Sequence, residues 1–222
     1  ERVEVQTSYF NSTTFYAPYG NMFLPSIVTD YRGTDEIGYK QYLYSYPNPG
    51  GNYIQLNEVI SCKDNPNTTN LTIADCSHLE YTEYDDKGNL IEFRANDGAY
   101  TTIIWGYDQR FPIAKIENAS YLSVQTALGS NSSSIATLQA LSDADDSISD
   151  EDVLRSALNN LRDYLPSAMI TTYTHDPLIG VTSVTDPRGY TTYYEYDAFN
   201  RLEYVRDADN NLLTENKYHY KN

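Results

Sequence analysis

Long apolar runs are missing from this chain of 222 residues. A membrane-spanning helix needs about 20 consecutive apolar residues, so the sequence predicts no membrane span. No signal peptide is visible either. The chain begins Glu1-Arg2-Val3 without methionine, and we therefore expect a fragment or a processed form of a longer protein.

Positive charge is also scarce. The chain has 15 Lys and Arg against 31 Asp and Glu, which gives a formal net charge of −16. A surface of this charge repels phosphate backbones, so the sequence predicts no nucleic-acid partner. The simplest role of the excess charge is to keep the protein soluble.

Cysteine is limited to Cys62 and Cys76, which flank an Asn-, Thr- and Pro-rich loop at 63–75. A disulfide between them fits an oxidising compartment, and two free thiols are an equally good interpretation. No Cys-x-x-Cys pair occurs in the sequence. We therefore predict neither a zinc site nor a redox motif.

Signatures of catalysis are absent as well. There is no Gly-x-Ser-x-Gly elbow and no phosphate-binding glycine loop. His78, His175 and His219 lack ligand spacing, and we expect the last two to pack as rings within strands. The acidic segment 143–152 lacks the Gly and Glu of a calcium loop, which favours a solvated linker followed by a helix N-terminus.

We expect a protein that is not an enzyme and has no cofactor or metal. The open alternative is a hydrolase whose two carboxylates are brought together by the fold.

Tyrosine, by contrast, is abundant, with 23 residues in the chain. These rings favour a sheet with large amphipathic faces over a thick aliphatic core. The single tryptophan, Trp105, lies in a strand-forming run, and we expect its ring to pack in the core.

Acidic residues mark evenly spaced turns in the last third of the chain. Asp176, Asp186, Asp197 and Asp207 lie 10, 11 and 10 positions apart (186−176, 197−186, 207−197), with β-rich runs between them. Such spacing predicts consecutive hairpins in one antiparallel sheet. The Asp carboxylate can accept a hydrogen bond from the backbone two residues on, and a Gly or Asn three residues after the Asp tolerates positive φ. The predicted structural turn residues are Asp85, Gly88, Asp186, Gly189, Asp197, Asn200, Asp207 and Asn210.

Two more turns are predicted upstream. The run Asp30-Tyr31-Arg32-Gly33 has the same form as the turn at Asp186. The turn at Tyr107-Asp108 departs from it, because Phe111 and Pro112 stand where Gly and Arg are expected.

The regular pattern stops at Asn118 and resumes at Thr171, and the segment between has helical periodicity. Ser120 and Gly129 bound a first predicted helix at 121–128, and a second is predicted at 135–141. A third begins at Ser149, whose hydroxyl with Asp152 resembles a capping box, and continues to Pro166. Because the insertion replaces a hairpin turn, we expect 113–117 and 169–173 to be adjacent strands.

The sequence thus predicts a mainly β fold: an antiparallel sheet of successive hairpins, strongly twisted or curved, with one small helical insertion. The predicted domain ranges are 1–118 and 169–222 for the hairpins of one sheet, and 119–168 for the helical insertion.

The run Tyr-Glu-Tyr-Asp-Ala-Phe-Asn-Arg-Leu at 194–202 and the run Thr-Asp-Pro-Arg-Gly at 185–189 resemble the YD repeats of RHS (rearrangement hotspot) proteins. The family pattern is an aromatic-Asp pair, two variable residues, Gly, Arg and Leu, followed by an Asp-x-x-Gly turn. Asn200 and Asn210 stand where the family usually has Gly, a mild departure because Asn also visits the left-handed region. The resemblance is strong over residues 171–222 and less close over residues 81–118. Repeats of this kind imply a bacterial protein.

This resemblance implies a non-catalytic segment of a large secreted or cell-surface protein. YD repeats build a β-strand shell, often around a toxin at the far C-terminus, so the implied partners are neighbouring repeats of the same parent chain. The family's self-cleaving Arg-Phe-x-Ser-x-Asp-Pro motif has no counterpart in this sequence. The alternative is a module that binds carbohydrate or protein through exposed tyrosines.

Overall fold

The computed structural model describes residues 3–10, 24–32, 34–45, 54–63, 75–96, 98–129 and 134–218. Within these ranges the chain forms thirteen strands and four helices. The strands are β1 (Val3–Phe10), β2 (Leu24–Arg32), β3 (Asp35–Ser45), β4 (Gln55–Cys62), β5 (Ser77–Tyr84), β6 (Leu90–Ala95), β7 (Tyr100–Gly106), β8 (Phe111–Glu117), β9 (Met169–Asp176), β10 (Gly180–Thr185), β11 (Thr191–Tyr196), β12 (Leu202–Asp207) and β13 (Leu212–Glu215). The helices are α1 (Tyr121–Leu128), α2 (Ile135–Asp143), α3 (Ile148–Asn159) and α4 (Leu161–Tyr164).

The strands follow one another in sequence order across one open antiparallel sheet, from β1 at one edge to β13 at the other. Each hairpin therefore places a strand beside its immediate predecessor, the arrangement that closely spaced turns favour. The predicted fold class, a mainly β structure of successive antiparallel hairpins with one helical insertion, is confirmed.

The chain divides into two compact units, one of residues 1–83 and 93–98, the other of residues 84–92 and 99–222. The predicted domain ranges 1–118, 119–168 and 169–222 stay a prediction. In the first unit, a small core forms around Tyr39, Ile60 and Cys62, with Ile27 and Cys76 packed against it. Cys62 and Cys76 are joined by a disulfide across 14 positions of sequence.

In the second unit, the helices pack on one face of the sheet. Thr102, Ile116 and Ile170 are cross-strand neighbours on β7, β8 and β9. All three are buried. The apolar helix residues that meet this face are fully buried as well: Val124, Leu128, Leu138, Leu154, Leu158 and Leu161. This cluster is the main aliphatic core of the described chain.

The N-termini of α1, α2 and α3 are capped by serine side chains. Ser120 accepts a hydrogen bond from Ser123 N–H, and Ser134 accepts one from Thr137 N–H. The third helix is capped by Ser147, which accepts a hydrogen bond from Asp150 N–H. The prediction of a cap at Ser149 is wrong, because Ser149 already lies inside α3, which begins at Ile148.

The same helix ends earlier than predicted. It stops at Asn159, and α4 follows as a separate short helix before Pro166. Val153 on α3 is 52% exposed, whereas Leu154 and Leu158 are buried.

The insertion replaces a hairpin turn as predicted. Ala114 pairs with Thr172 and Ile116 pairs with Ile170, so β8 and β9 are adjacent antiparallel strands. Asn118, with φ 69°, turns the chain out of β8. Its Nδ2 donates to the carbonyl of Ser167 at 3.0 Å, which ties the two ends of the insertion together.

Removal of the disulfide tests how far the first unit depends on it. The chain-entropy estimate for a loop of about 15 residues is about 3 kcal/mol, so replacing Cys62 and Cys76 by serine should lower the free energy of unfolding by this amount. Urea denaturation measures it. An alanine pair is the matched control for the buried serine hydroxyl at position 62, and an unchanged unfolding midpoint in both pairs would contradict the prediction.

Candidate functional site

The turns headed by aspartate share one hydrogen-bond pattern. Oδ1 of Asp197 accepts hydrogen bonds from the N–H groups of Phe199 at 2.8 Å and Arg201 at 3.0 Å. Asp197 N–H donates to the carbonyl of Arg201 at 2.8 Å, and Asn200 N–H donates to the carbonyl of Asp197 at 2.9 Å. One carboxylate therefore satisfies two backbone donors that the strand ladder leaves unpaired.

The other predicted turns repeat this arrangement. Oδ1 of Asp186 accepts from residues 188 and 190, both at 2.9 Å. Asp207 accepts from residues 209 and 211 at 3.0 and 2.8 Å. Asp85 accepts from residues 87 and 89 at 3.0 and 2.7 Å. Oδ1 of Asp176, which heads the turn between β9 and β10, accepts from Leu178 N–H at 3.1 Å, and the Asp176 carbonyl accepts from Ile179 N–H at 3.0 Å.

The fourth residue of each of these turns, other than that at Asp176, has a left-handed backbone. Gly88 and Gly189 have φ 88°, Asn200 has φ 60° and Asn210 has φ 64°. Gly and Asn are the residues that adopt this region at least cost, so all eight predicted turn residues lie in the turns that their sequence pattern indicates.

The upstream pattern at Asp30 behaves differently. Asp30 lies within β2 and pairs with Gly38, and the strand continues to Arg32, which pairs with Asp35. The prediction of a turn headed by Asp30 is therefore wrong: strand pairing with β3 holds the residues that would have formed it. Gly33 lies outside the described residues.

The turn between β7 and β8 is the most unusual in the described chain. Tyr107, Asp108 and Gln109 have φ 53°, 57° and 59°, so three consecutive residues other than glycine are left-handed. Arg110 N–H closes the turn on the carbonyl of Gly106 at 2.9 Å. Such a run is unfavourable for L-residues, so contacts from outside the turn must hold it.

Contacts from two sides hold this turn. Asn89 Nδ2 donates to the carbonyl of Gln109 at 2.8 Å, and Lys87 Nζ donates to the carbonyl of Asp108.

The other contacts come from the last turn of α2 and from the connection between α2 and α3. Tyr107 N–H donates to Ser142 Oγ at 3.0 Å, and Asp108 N–H donates to Asp143 Oδ1 at 2.6 Å. The Tyr107 hydroxyl donates to Asp145 Oδ2 at 2.7 Å. The interpretation of this acidic segment as a solvated linker is therefore wrong for Asp143 and Asp145, which bind the β7–β8 turn.

An acidic cleft of about 640 Å³ opens beside this contact. Carboxylates are its main polar groups, and Ile148, Pro177 and Leu178 supply aliphatic walls. The acidic residues that line it are Asp108, Asp143, Asp145, Asp146, Glu151 and Asp176. This cleft is the candidate functional site that sequence reasoning missed, because its walls come from three segments, at 107–110, 142–151 and 175–182, that no local motif links.

Buried rings form the floor of the acidic cleft. The Tyr107 hydroxyl accepts a hydrogen bond from His175 N–H at 2.9 Å, and His175 Nε2 donates to the carbonyl of Pro112 at 2.9 Å. The His175 ring stacks on Phe111 with a centroid distance of 5.1 Å. Burial lowers the pKa of His175 and raises the pKa of Tyr107, so both side chains are neutral at neutral pH. His175 packs as a ring within a strand, as expected.

Glu151 is likewise engaged by its neighbours. It pairs with Arg155, and its Oε1 accepts hydrogen bonds from Thr174 Oγ1 at 2.7 Å and Thr182 Oγ1 at 2.8 Å. Arg155 Nε donates to Ser183 Oγ at 3.2 Å, and the guanidinium lies over the Tyr193 ring at 5.1 Å. This network joins α3 to β9, β10 and β11.

The chemistry available in the acidic cleft is thus mainly that of hydrogen-bond acceptors joining helices to strands. Among the described residues, no three His, Cys, Asp or Glu side chains are grouped so that they could hold a metal ion. The same residues include no helix long and apolar enough to cross a membrane.

The two other histidines of the sequence are His78 and His219, and His78 does not line the acidic cleft. Nδ1 of His78 lies 2.6 Å from Glu58 Oε1 in the first unit, and His219 lies outside the described residues.

Trp105 is only half-buried, and its indole N–H donates to the carbonyl of Leu90 at 2.8 Å. The prediction that this ring packs in the core is wrong, because successive strand residues alternate between faces and the neighbouring Ile104 occupies the core.

Substitution of Gly189 tests the left-handed turn position. A Cβ at Gly189 would meet no atom within 4 Å, so the cost of a side chain there is set by its φ of 88° alone. Gly189→Ala should lower the free energy of unfolding by about 1 kcal/mol. Gly189→Asn should cost less, because Asn occupies the same position at 200 and 210. Urea denaturation compares the two variants, and equal stabilities would refute the assignment.

Acid should loosen the turns at Asp197 and Asp207. The Arg201 side chain, followed by backbone donors, lowers the pKa of Asp197, and the Asn211 side chain and N–H lower the pKa of Asp207. A lowered pKa means that the folded state favours the carboxylate. The stabilisation is therefore complete above the ordinary value of 3.8 and is lost as pH falls through the folded value.

Amide hydrogen exchange at Phe199, Arg201, Asp209 and Asn211 measures this loss. We expect protection at these amides to decline in acid below the ordinary Asp pKa. The variants Asp197→Asn and Asp207→Asn are the controls, since an amide oxygen accepts hydrogen bonds without titrating. Protection that does not change across this pH range in the unmodified protein would contradict the prediction.

Comparison with known families adds one match. The family model described as RHS Repeat matches residues 180–212, which span β10, β11, β12 and the first residue of β13. No curated protein matches the chain. The matched region contains the turns at Asp186, Asp197 and Asp207, whose carboxylates hold the backbone in the pattern described above. Residues 180–212 thus match the RHS Repeat family, and this match supports the resemblance of the chain to RHS/YD-repeat proteins.

Proposed function

We propose that this chain is a non-catalytic structural segment of a large RHS-type protein, in which its hairpins form part of a β shell that encloses or displays another part of the parent chain. The observation that supports this most is the strand order, in which every hairpin adds to one continuous sheet. A sheet that grows by one hairpin per repeat can be extended by further repeats without rearrangement.

The terminal strands support the same function. All four residues of β13 are exposed, including Leu212 at 49% and Leu213 at 56%. On β1, at the other edge, Val5 is 61% exposed. Exposed edge strands offer unpaired backbone groups to another strand, and the partners proposed here are neighbouring repeats of the same parent chain.

The groups around the acidic cleft also favour a structural function. Asp143, Asp145 and Glu151 accept hydrogen bonds from backbone or side chains of the sheet, and the His175 ring is bonded to Pro112. A general acid or base needs a free site within reach of a substrate. The three carboxylates instead attach helices to the sheet, and His175 joins β9 to β8.

The proposed location is the cell exterior or surface. RHS repeats are typical of such proteins, and a disulfide between Cys62 and Cys76 is stable in an oxidising compartment. The disulfide closes the segment between β4 and β5 in the first unit.

A second candidate function is binding of carbohydrate or protein through exposed aromatic side chains. The Tyr190 ring, in the turn after β10, is 71% exposed, and the Phe199 ring, in the turn after β11, is 72% exposed. A glycan-array screen of the unmodified protein and Tyr190→Ser decides this alternative. Glycan binding that is lost in Tyr190→Ser supports this alternative. If the unmodified protein binds no glycan on the array, carbohydrate binding is excluded.

Self-association tests the proposed function. With both edges open, the isolated chain should associate through its terminal strands, and sedimentation equilibrium should detect concentration-dependent oligomers. Val5→Lys combined with Leu213→Lys places charge on both edges and should weaken association by roughly tenfold, which corresponds to about 1.4 kcal/mol.

The matched control is Leu122→Lys, because Leu122 is 72% exposed on α1 and belongs to neither edge strand. This variant should associate as the unmodified protein does. An unmodified chain that stays monomeric at every concentration would overturn the proposal that its edge strands are joining surfaces. Equal weakening of self-association by Leu122→Lys and by the edge-strand variant would overturn it as well.

A further inference from the structure

Three hydrogen bonds fasten the β7–β8 turn to the helical insertion. They run from Tyr107 N–H to Ser142 Oγ, from Asp108 N–H to Asp143 Oδ1, and from the Tyr107 hydroxyl to Asp145 Oδ2, with lengths of 3.0, 2.6 and 2.7 Å. We call these three bonds the latch. The contact is close, since a Cβ on Gly106 would collide with Ser142 Oγ.

The latch holds a turn that is unfavourable on its own. Tyr107, Asp108 and Gln109 are all left-handed, and none of them is glycine. Each of these residues would be more stable in a right-handed or extended conformation. Loss of the latch therefore frees the N–H groups of Tyr107 and Asp108. Lys87 and Asn89 still contact the carbonyls of Asp108 and Gln109, and the buried aliphatic cluster continues to hold the helices on the sheet.

Negative charge is crowded around the latch. Asp145 is half-buried, and most of the charged groups near it are carboxylates. From the β7–β8 turn these groups are Asp108 and Arg110, from α2 Asp143, and from the connection after α2 Asp146. From α3 they are Asp150, Glu151 and Arg155, and from β9 Asp176 and the titratable ring of His175. The turn after β5 adds Lys87, whose Nζ donates to the carbonyl of Asp108. Carboxylates outnumber cations in this set, so an ionised Asp145 is repelled by its surroundings.

We propose that the latch is sensitive to acid and to salt, and that it tightens when protonation or screening removes the repulsion around Asp145. A protonated carboxyl can still accept the hydrogen bond of the Tyr107 hydroxyl through its carbonyl oxygen. Protonation thus relieves repulsion without removing the bond. Dissolved ions act in the same direction, since exposed like charges repel less at high ionic strength.

The direction of the pH dependence follows from the electrostatics of Asp145. Burial raises its pKa, as do Glu151 and Asp150, while the Tyr107 hydrogen bond and Arg155 oppose the rise. A raised pKa means that the latched state binds the proton more tightly than the released state. The latch therefore strengthens as pH falls through the raised value toward the ordinary Asp value of 3.8.

Two other titrations act in the opposite direction. The pKa of His175 is lowered by burial, so its contribution to stability declines as pH falls below the ordinary value of 6.5. The turns at Asp197 and Asp207 weaken only below 3.8. The experiment must therefore isolate Asp145 by comparing variants within the pH range above 3.8.

Amide hydrogen exchange in the full chain provides the local measurement. The N–H groups of Tyr107 and Asp108 belong to the latch, and their protection factors report its opening. Asp145→Asn keeps an oxygen acceptor for Tyr107 and removes the charge. Asp163→Asn is the matched control, because Asp163 lies on α4 and does not line the acidic cleft. Circular dichroism establishes that each variant keeps its helices.

At neutral pH, Asp145→Asn should show higher protection at both amides than the unmodified protein, and the difference should vanish in acid. The gain is at most tenfold for each unit by which the pKa of Asp145 is raised. The His175 contribution is common to both proteins and cancels in this comparison. Asp163→Asn should follow the unmodified protein throughout.

A salt series tests the same proposal without any substitution. In about 1 M salt, where the Debye length is about 3 Å, protection in the unmodified protein at neutral pH should rise toward that of Asp145→Asn. Lower protection in Asp145→Asn than in the unmodified protein at neutral pH would overturn the proposal, because the charged hydrogen bond would then outweigh the repulsion. Protection that does not respond to salt would overturn it as well.

Discussion

The fold depends on one repeated interaction, an aspartate carboxylate that accepts two backbone N–H groups across a four-residue reversal. At Asp197 these donors are residues 199 and 201, and at Asp207 they are residues 209 and 211. Buried or strand-flanking N–H groups need a partner, and here a single side chain supplies two acceptor contacts. The reversal then requires one left-handed residue, which Asn200 and Asn210 supply. Because the whole unit is local in sequence, it can be repeated along a chain without specifying any distant contact.

The helical insertion uses a different principle. It occupies the place of one reversal, and β8 and β9 still pair as neighbours on either side of it. Loop-closure entropy grows slowly with loop length, so the sheet accommodates a long connection at little cost. The helices cover one face of β7 to β9 with aliphatic side chains, which gives the second unit a core that tyrosine-rich hairpins alone do not provide. Polar bonds to Asp143 on α2 and Glu151 on α3 then fix the helices to the rim of the sheet.

Much of this architecture can be predicted from the sequence, because its turns are set by local chemistry. The turns at Asp85, Asp186, Asp197 and Asp207 follow from Asp and from Gly or Asn three residues later. The same pattern misleads at Asp30, where pairing with Gly38 extends the strand. The local sequence around Asp30 does not determine whether the chain forms a turn there or continues the strand.

The acidic cleft could not be predicted for the same reason. Tyr107 meets Asp145 across 38 positions of sequence, and no sequence pattern links the turn at Tyr107 to the acidic segment. Aspartates in an acidic, Ser-rich segment are most often solvated, and only the packing of α2 on β7 brings two of them to the turn. Ser147 and Ser149 are likewise equivalent as helix caps in sequence, and the position of Ile148 at the start of α3 selects between them.

The central claim is that carboxylates of the RHS repeat organise its reversals. Scalar couplings across hydrogen bonds, measured by NMR between the backbone nitrogens of Phe199 and Arg201 and the carboxylate carbon of Asp197, test it most directly. The account predicts a detectable coupling from both nitrogens to the same carboxylate carbon, and the same pair of couplings at Asp207. Absence of these couplings, together with exchange of the Phe199 and Arg201 amides at the rate of an unfolded chain, would contradict it.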